Sequence, residues 1–195
     1  MTAVEKITPA DWMGAADTRA LFDAITAGGG SVRFVGGCVR DAILGRPVSD
    51  IDLATDVEPA RVIELLGARK IRAVPTGLDH GTITAIPEHR PFEITTLRQD
   101  VETDGRRAAV KFTHDWSVDA GRRDFTMNAL SADPDGTVYD YVGGLPDLRA
   151  GRVRFIGDAA ERIAEDYLRI LRFFRFHANY ASTVPRRGGA AGVPR

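Results

Sequence analysis

The 195-residue sequence contains one cysteine, Cys38, which excludes an intramolecular disulfide and a thiolate zinc cluster. No apolar run approaches the ~20 residues of a membrane helix. The opening stretch, residues 1–12, lacks the apolar core of a secretory leader. A cytoplasmic protein without a membrane partner is therefore expected. The four histidines, His80, His89, His114 and His177, are scattered without metal-ligand spacing. There is no phosphate loop ending in Gly-Lys-Ser or Gly-Lys-Thr, and Val35-Gly36-Gly37-Cys38 does not make a dinucleotide fingerprint. No serine lies in a nucleophile elbow. Acidic residues also stop at Asp166, whereas Arg169, Arg172, Arg175, Arg186, Arg187 and Arg195 follow it. On charge alone, that basic end is equally a nucleic-acid contact or a set of solvated arginines. The formal net charge is -1, with 44% hydrophobic and 27% charged residues. Those values suit one globular domain, or one domain and part of a second.

The most informative stretch runs from Val32 to Thr55. It reads as a short apolar strand (Val32, Phe34, Val35), a Gly36-Gly37 turn and a short helix carrying Arg40 and Asp41. A turn over 45–49 leads to a strand opening Asp50-Ile51-Asp52. Strand side chains alternate, so Asp50 and Asp52 project from one face about 6–7 Å apart while Ile51 points away. Paired carboxylates suit hard divalent cations, and the two glycines allow close backbone approach to an anion. Together they suggest a site for a metal–nucleoside triphosphate.

Residues 9–27 read as one amphipathic helix ended by Gly28-Gly29-Gly30, and residues 60–66 as a helix ended by Gly67. Strands are expected over 70–74, 82–86 and 92–97, the last two joined by a hairpin-like connection over 87–91. Glu93 stands on the polar face of its strand, either as a solvated edge acid or as a third metal carboxylate beside Asp50 and Asp52. Residues 99–111 read as a mobile loop, 116–130 as a helical stretch, and 130–132 and 138–141 as short strands around a turn. Residues 153–156 are a further strand candidate. From Asp158 one long helix is expected, capped by Asp158, with Ile163, Tyr167, Leu168, Leu171, Phe174 and Ala178 as its core face.

Four segments in order resemble the class II CCA-adding enzymes of the tRNA nucleotidyltransferase/poly(A) polymerase family. Val35 to Asp41 with Asp50-Ile51-Asp52 resembles the nucleotidyltransferase signature. Arg122-Arg123-Asp124-Phe125-Thr126-Met127-Asn128-Ala129-Leu130 resembles the ribose-contacting motif, Asp140 to Gly144 the hinge, and Glu165 to Arg169 the base-reading element. The resemblance covers about residues 30–180. It implies an α+β fold: a polymerase-beta-like head with a mixed sheet flanked by helices, then the first helix of a helical neck. The expected division is a head over 1–150, the start of the neck over 151–182 and a disordered tail over 183–195.

The resemblance also implies a chemistry: CMP and AMP added from CTP and ATP to the 3′ end of tRNA without a template. It implies two Mg²⁺ ions on Asp50, Asp52 and Glu93. Gly36, Gly37, Arg40 and Arg123 would contact the nucleotide, and Asp124 and Asn128 would place its ribose. Asp124 could instead cap a turn, and Arg40 with Asp41 could be a surface pair. Asp166 and Arg169, read at i and i+3 on one helix, supply an acceptor and a donor. Cytosine and adenine both match that pair. Uracil and guanine invert each contact, leaving unpaired polar groups at about 1–3 kcal/mol apiece. A plain Asp–Arg salt bridge is the alternative. Tyr167 stands where the family often has proline. Poly(A) polymerases and A-adding or CC-adding relatives share these head motifs. The Gly/Pro-rich end of the sequence raises a further alternative, an inactive remnant that binds metal and nucleotide but not tRNA.

Overall fold

Strand β2 (Val32–Val35) is buried along its whole length and sits at the centre of a mixed eight-stranded sheet. The computed structural model describes residues 3–101 and 109–181. The chain order is β1 (Glu5–Lys6), α1 (Ala16–Ala27), β2, α2 (Gly37–Ile43), β3 (Asp52–Thr55) and α3 (Pro59–Ala68). Then come β4 (Arg72–Gly77), β5 (Thr82–Ile86), β6 (Phe92–Thr96), β7 (Arg98–Val101), β8 (Ala109–Phe112) and α4 (Trp116–Gly121). The remainder is β9 (Ser131–Ala132), β10 (Thr137–Tyr139), α5 (Gly144–Arg149), α6 (Ala159–Glu165) and α7 (Leu168–Tyr180). Across the main sheet the order is β1-β10-β9-β2-β3-β6-β5-β4, while β7 and β8 form a separate ribbon.

Two pairings position the site. β2 runs antiparallel to β3, so the end of β2 and the glycines after it lie beside the start of β3. β3 runs parallel to β6, with Asp52 opposite Glu93. Ile51, Leu53 and Ile94 enter the main core with Leu21, Phe34 and Val62. By alternation, Asp52 and Glu93 face the other side, where Val35, Ala54, Leu97 and Trp116 form a smaller core. Arg33, buried in β2, also faces that side. Its guanidinium lies 3.6 Å from the Tyr139 ring centroid and 4.4 Å from that of Trp116, and it pairs with Asp133.

Several expectations need correction. The helix read over 9–27 divides into a 3₁₀ turn at Asp11–Gly14 and α1, because Ala15 is extended and Thr18 Oγ1 donates to Trp12 O (2.8 Å). The strand placed at 70–74 begins at Arg72, since Lys70 turns with φ 59°. The loop expected over 99–111 is instead strand at both ends, with Gln99, Asp100 and Val101 of β7 paired to Lys111, Val110 and Ala109 of β8; residues 102–108, with Arg106 and Arg107, lie outside the described residues. The helical stretch over 116–130 ends after α4. Phe125 instead bridges to Phe155, the sole pairing by which the described 153–156 segment acts as a strand, and a 3₁₀ turn covers Thr126–Asn128.

The long helix from Asp158 is two helices. Asp158 caps α6 by accepting from the Ala160 and Glu161 N–H groups, as expected. Asp166 is extended and its carboxylate accepts from Leu168 N–H (2.9 Å), so the chain restarts as α7. The break rotates α7 away from the expected core face: Tyr167, Leu168, Leu171 and Phe174 are exposed, and Ala178 too. Phe173, Phe176 and Tyr180 pack on the head instead, where Phe176 lies 5.1 Å from Phe125 between ring centroids. The tail expected over 183–195 lies outside the described residues. No helix among the described residues is long and apolar enough to cross a membrane.

Candidate active site

Gly36 ends β2 with φ 72°, a backbone region suited to glycine, and donates its N–H to Leu130 O (3.1 Å). Its own N–H is therefore committed within the fold. A Cβ at Gly36 would stand 3.3 Å from Arg123 Nη1, and one at Gly37 3.6 Å from Arg40 Nη2. Both glycines thus keep the backbone against a guanidinium. Gly36→Ala is expected to destabilise the fold by about 1–3 kcal/mol through the left-handed φ. A denaturant titration checks this, and an unchanged midpoint would refute it.

The expected metal carboxylates Asp52 and Glu93 fall at the starts of two neighbouring interior strands, β3 and β6, with Asp50 just before β3. Asp52 opens β3, and Asp50 stands two residues before it, exposed, with its carboxylate accepting from Ser49 Oγ (3.0 Å). Strand β3 thus starts two residues later than expected. Glu93 is exposed on β6 opposite Asp52. The Asp52 carboxyl is pushed above the usual carboxylate range, first by burial, then by the charges of Glu93 and Asp50, with Arg123 opposing them. Among the described residues, no three His, Cys, Asp or Glu side chains converge into a cage able to hold an ion by themselves. An all-oxygen acidic set whose repulsion exceeds its compensation still fits a cation that takes its remaining ligands from phosphate and water.

The expected nucleotide residues are tied together more tightly than their spacing suggests. Arg40 is buried. Its Nε and Nη2 donate to the Asp41 carboxylate (3.0 and 2.7 Å), and its Nη1 donates to Asn128 Oδ1 (2.6 Å). The Arg40–Asp41 pair is therefore interior, not a surface pair. Asn128 Nδ2 donates to Asp124 Oδ1 (3.0 Å), which also accepts from Phe125 N–H (2.8 Å). Asp124 thus belongs to the network and does not cap the 3₁₀ turn that follows, whose N-cap Phe125 has no side-chain cap. Asp140, in the hinge-like segment, accepts from the Val142, Gly143, Gly144 and Leu145 N–H groups at the start of α5.

Asp166 and Arg169 are not on one helix. Asp166 caps α7, and Arg169 donates to Glu165 and to Arg162 O (2.7 Å). Burial raises the Glu165 carboxyl, but the Arg169 hydrogen bond and both arginine charges bring it below the usual range. Arg162 in turn donates to Arg122 O and to Arg123 O (2.8 Å), joining this region to the ribose-like motif.

One organiser escaped the sequence reading. Asp119, buried in α4, accepts from Arg122 Nε (2.8 Å), Arg123 Nη2 (3.1 Å) and Arg98 N–H (3.2 Å). It thereby aims Arg123 at Gly36. The i, i+3 and i, i+4 spacing of Asp119 to Arg122 and Arg123 was a visible signal.

Residues 32–154 match the family described as the poly(A) polymerase head domain. The chain is 51% identical over 147 residues to the human mitochondrial CCA tRNA nucleotidyltransferase 1, covering 75% of this chain and 34% of that protein. It is 43% identical over 160 residues to the CCA-adding enzyme of Streptococcus sanguinis, covering 81% and 39%. Among solved structures, the Bacillus stearothermophilus CCA-adding enzyme in complex with CTP superposes with a TM-score of 0.76 at 34% identity, covering 85% of this chain and 40% of that one. A tRNA nucleotidyltransferase complexed with a primer tRNA and an incoming ATP analogue superposes with a TM-score of 0.66 at 30% identity, covering 83% and 46%. The chain therefore spans less than half the length of each of these relatives.

Proposed function

The chain belongs to the poly(A) polymerase head-domain family, and from that membership we propose that it is the nucleotide-handling part of a cytoplasmic, template-independent nucleotidyltransferase. In this reading it adds CMP and AMP from CTP and ATP to the 3′ end of tRNA. The observation that carries it is the acidic cluster at the starts of β3 and β6, with Asp52 opposite Glu93 and two residues after Asp50, set beside the Gly36-Gly37 turn and Arg123. Residues 1–150 form the head and 151–182 begin a helical neck.

In the reaction, the 3′-hydroxyl oxygen of the RNA bonds to the α-phosphorus. The bond from that phosphorus to the bridging oxygen of the β-phosphate breaks, pyrophosphate leaves and the hydroxyl proton passes to solvent. Divalent cations, two Mg²⁺ in this proposal, lower the pKa of the hydroxyl and neutralise the leaving group when bound. Asp50, Asp52 and Glu93 would hold them, since their repulsion is what a cation relieves. Arg123 and Arg40, each already paired with a carboxylate, place guanidinium N–H groups beside the glycine turn for the triphosphate. Asp124 and Asn128 place the ribose. Asp166 and Arg169 choose the base, which requires Arg169 to exchange its Glu165 contact for the nucleobase.

Labelled CTP and ATP incubated with tRNA lacking its terminal CCA provide the test. Addition of two C and one A, and no more, is the expected product. Long A tracts on generic RNA would instead favour a poly(A) polymerase. Nucleotide binding without incorporation, in this chain and in a version extended downstream, would identify an inactive remnant.

A further inference from the structure

Helix α7 presents Arg172, Phe176 and Tyr180 on one face at four-residue spacing, and each meets the head at a different point of one network. Arg172 Nε and Nη2 both donate to Asp124 Oδ2 (2.8 and 2.5 Å). Asp124 Oδ1 accepts from Asn128 Nδ2, Asn128 Oδ1 accepts from Arg40 Nη1, and Arg40 forks onto Asp41. Tyr180 closes the circuit by donating its hydroxyl to Asp41 Oδ1 (3.1 Å). The two ends on α7 are about 12 Å apart at 1.5 Å per residue. Phe176, 7% exposed, fills the space between, with the Arg40 guanidinium 5.2 Å from its ring and 4.2 Å from that of Tyr180.

We infer that Arg172 and Tyr180 are positioning residues for the nucleotide site, holding Asp124, Asn128 and Arg40 in one fixed arrangement through this closed circuit. The inference rests on the nucleotidyltransferase reading above, because that reading assigns nucleotide contacts to those three residues. The circuit is balanced, with two guanidiniums against two carboxylates, so α7 adds geometry rather than net charge. Arg40 and Asn128 are buried with their polar groups joined in series, and a series network transmits displacement of one member to the next. Supporting groups of this kind set how accurately contact residues are held. α7 follows the head in sequence, so its docking is a route by which the neck side could control nucleotide affinity.

The test compares the parent chain with Arg172→Ala, Arg172→Lys and Tyr180→Phe. The readouts are CTP and ATP affinity by calorimetry with Mg²⁺, KM and kcat of transfer, and solvent exchange of the Arg40 Nε–H by NMR. Arg172→Ala is expected to weaken nucleotide affinity and raise KM roughly tenfold, with a smaller change in kcat. It should also speed Arg40 Nε–H exchange. Lysine keeps the charge but not the two-pronged contact, so Arg172→Lys should fall between. Tyr180→Phe retains the ring and removes only the hydroxyl, and it carries the test if Arg172→Ala does not fold. Unchanged affinity together with unchanged Arg40 exchange in a folded variant would overturn the inference. If the parent binds no nucleotide, the functional reading fails, and Arg40 exchange alone then decides whether α7 holds the network.

Discussion

Asp52→Asn is expected to lower nucleotidyl transfer by roughly 10²–10³-fold, the scale lost when one preorganised electrostatic contact to a transition state is removed. It is also expected to raise thermal stability. The two directions are opposite because Asp52 bears a cost in the folded chain. Burial, and then Glu93 and Asp50, push its carboxyl above the usual range despite Arg123. Between the ordinary carboxylate pKa and that raised value, the folded chain binds more protons than the unfolded one. Stability therefore falls as pH rises through that window, and the whole cost is present above it. Asparagine removes the charge while keeping the shape. Its melting temperature at neutral pH should rise above the parent's, by roughly 2–4 °C for each kcal/mol gained in a chain of this size. The profile across the acidic window should also be flatter. Labelled-nucleotide incorporation checks the loss of transfer, and melting curves from pH 4 to pH 7, with and without Mg²⁺, check the gain in stability. Mg²⁺ should stabilise the parent and not the variant. Full transfer by Asp52→Asn or by Asp52→Ala would remove Asp52 from the metal-binding role.

Strand β2 and the Gly36-Gly37 turn were readable because each depends on local rules: burial of Val32, Phe34 and Val35 along a strand, and glycine at positive φ at Gly36. The Asp-x-Asp face was read from strand alternation, but Asp50 precedes the strand that begins at Asp52. Glu93 opposite Asp52 was only half readable. Its strand was evident, but parallel pairing of β3 with β6 across two intervening strands is a matter of topology. The helix from Asp158 shows where periodicity misleads. Its apolar residues satisfy two different faces, and local spacing cannot choose between them. The capping carboxylate of Asp166 breaks the helix, and the aromatic contacts of Phe173 and Phe176 with Phe125 then select the face that the heptad-like count rejected. For the same reason Asp166 and Arg169 could not be placed by counting along a continuous helix. Arg172 and Tyr180 left no trace in the sequence, because their partners Asp124 and Asp41 lie 48 and 139 residues away.

Asp119→Ala carries the largest expected loss of stability. The carboxylate is buried among Arg122, Arg123 and the Arg98 N–H, and its removal strands all three donors together. Breaking one partner out of a buried ion pair typically costs about 3–5 kcal/mol. Arg122 and Arg123 keep some contact with water, so about 3 kcal/mol is expected, or a fall of roughly 6–12 °C in melting temperature. The pH dependence distinguishes lost charge from lost packing. Burial alone would raise the Asp119 carboxyl, but Arg123 and Arg122 hold it below the usual range. A depressed folded value contributes stability above the unfolded pKa, and that contribution is lost as pH falls through the folded value. The gap between parent and Asp119→Ala should therefore narrow as the solution is acidified below about pH 4. A gap that stays constant would mean that Asp119 acts by filling space. The site should respond as well, since Arg123 would lose the carboxylate that fixes it beside Gly36. An unfastened guanidinium in that position can fold back onto Asp52, so weaker Mg²⁺ stabilisation should accompany the lower melting temperature.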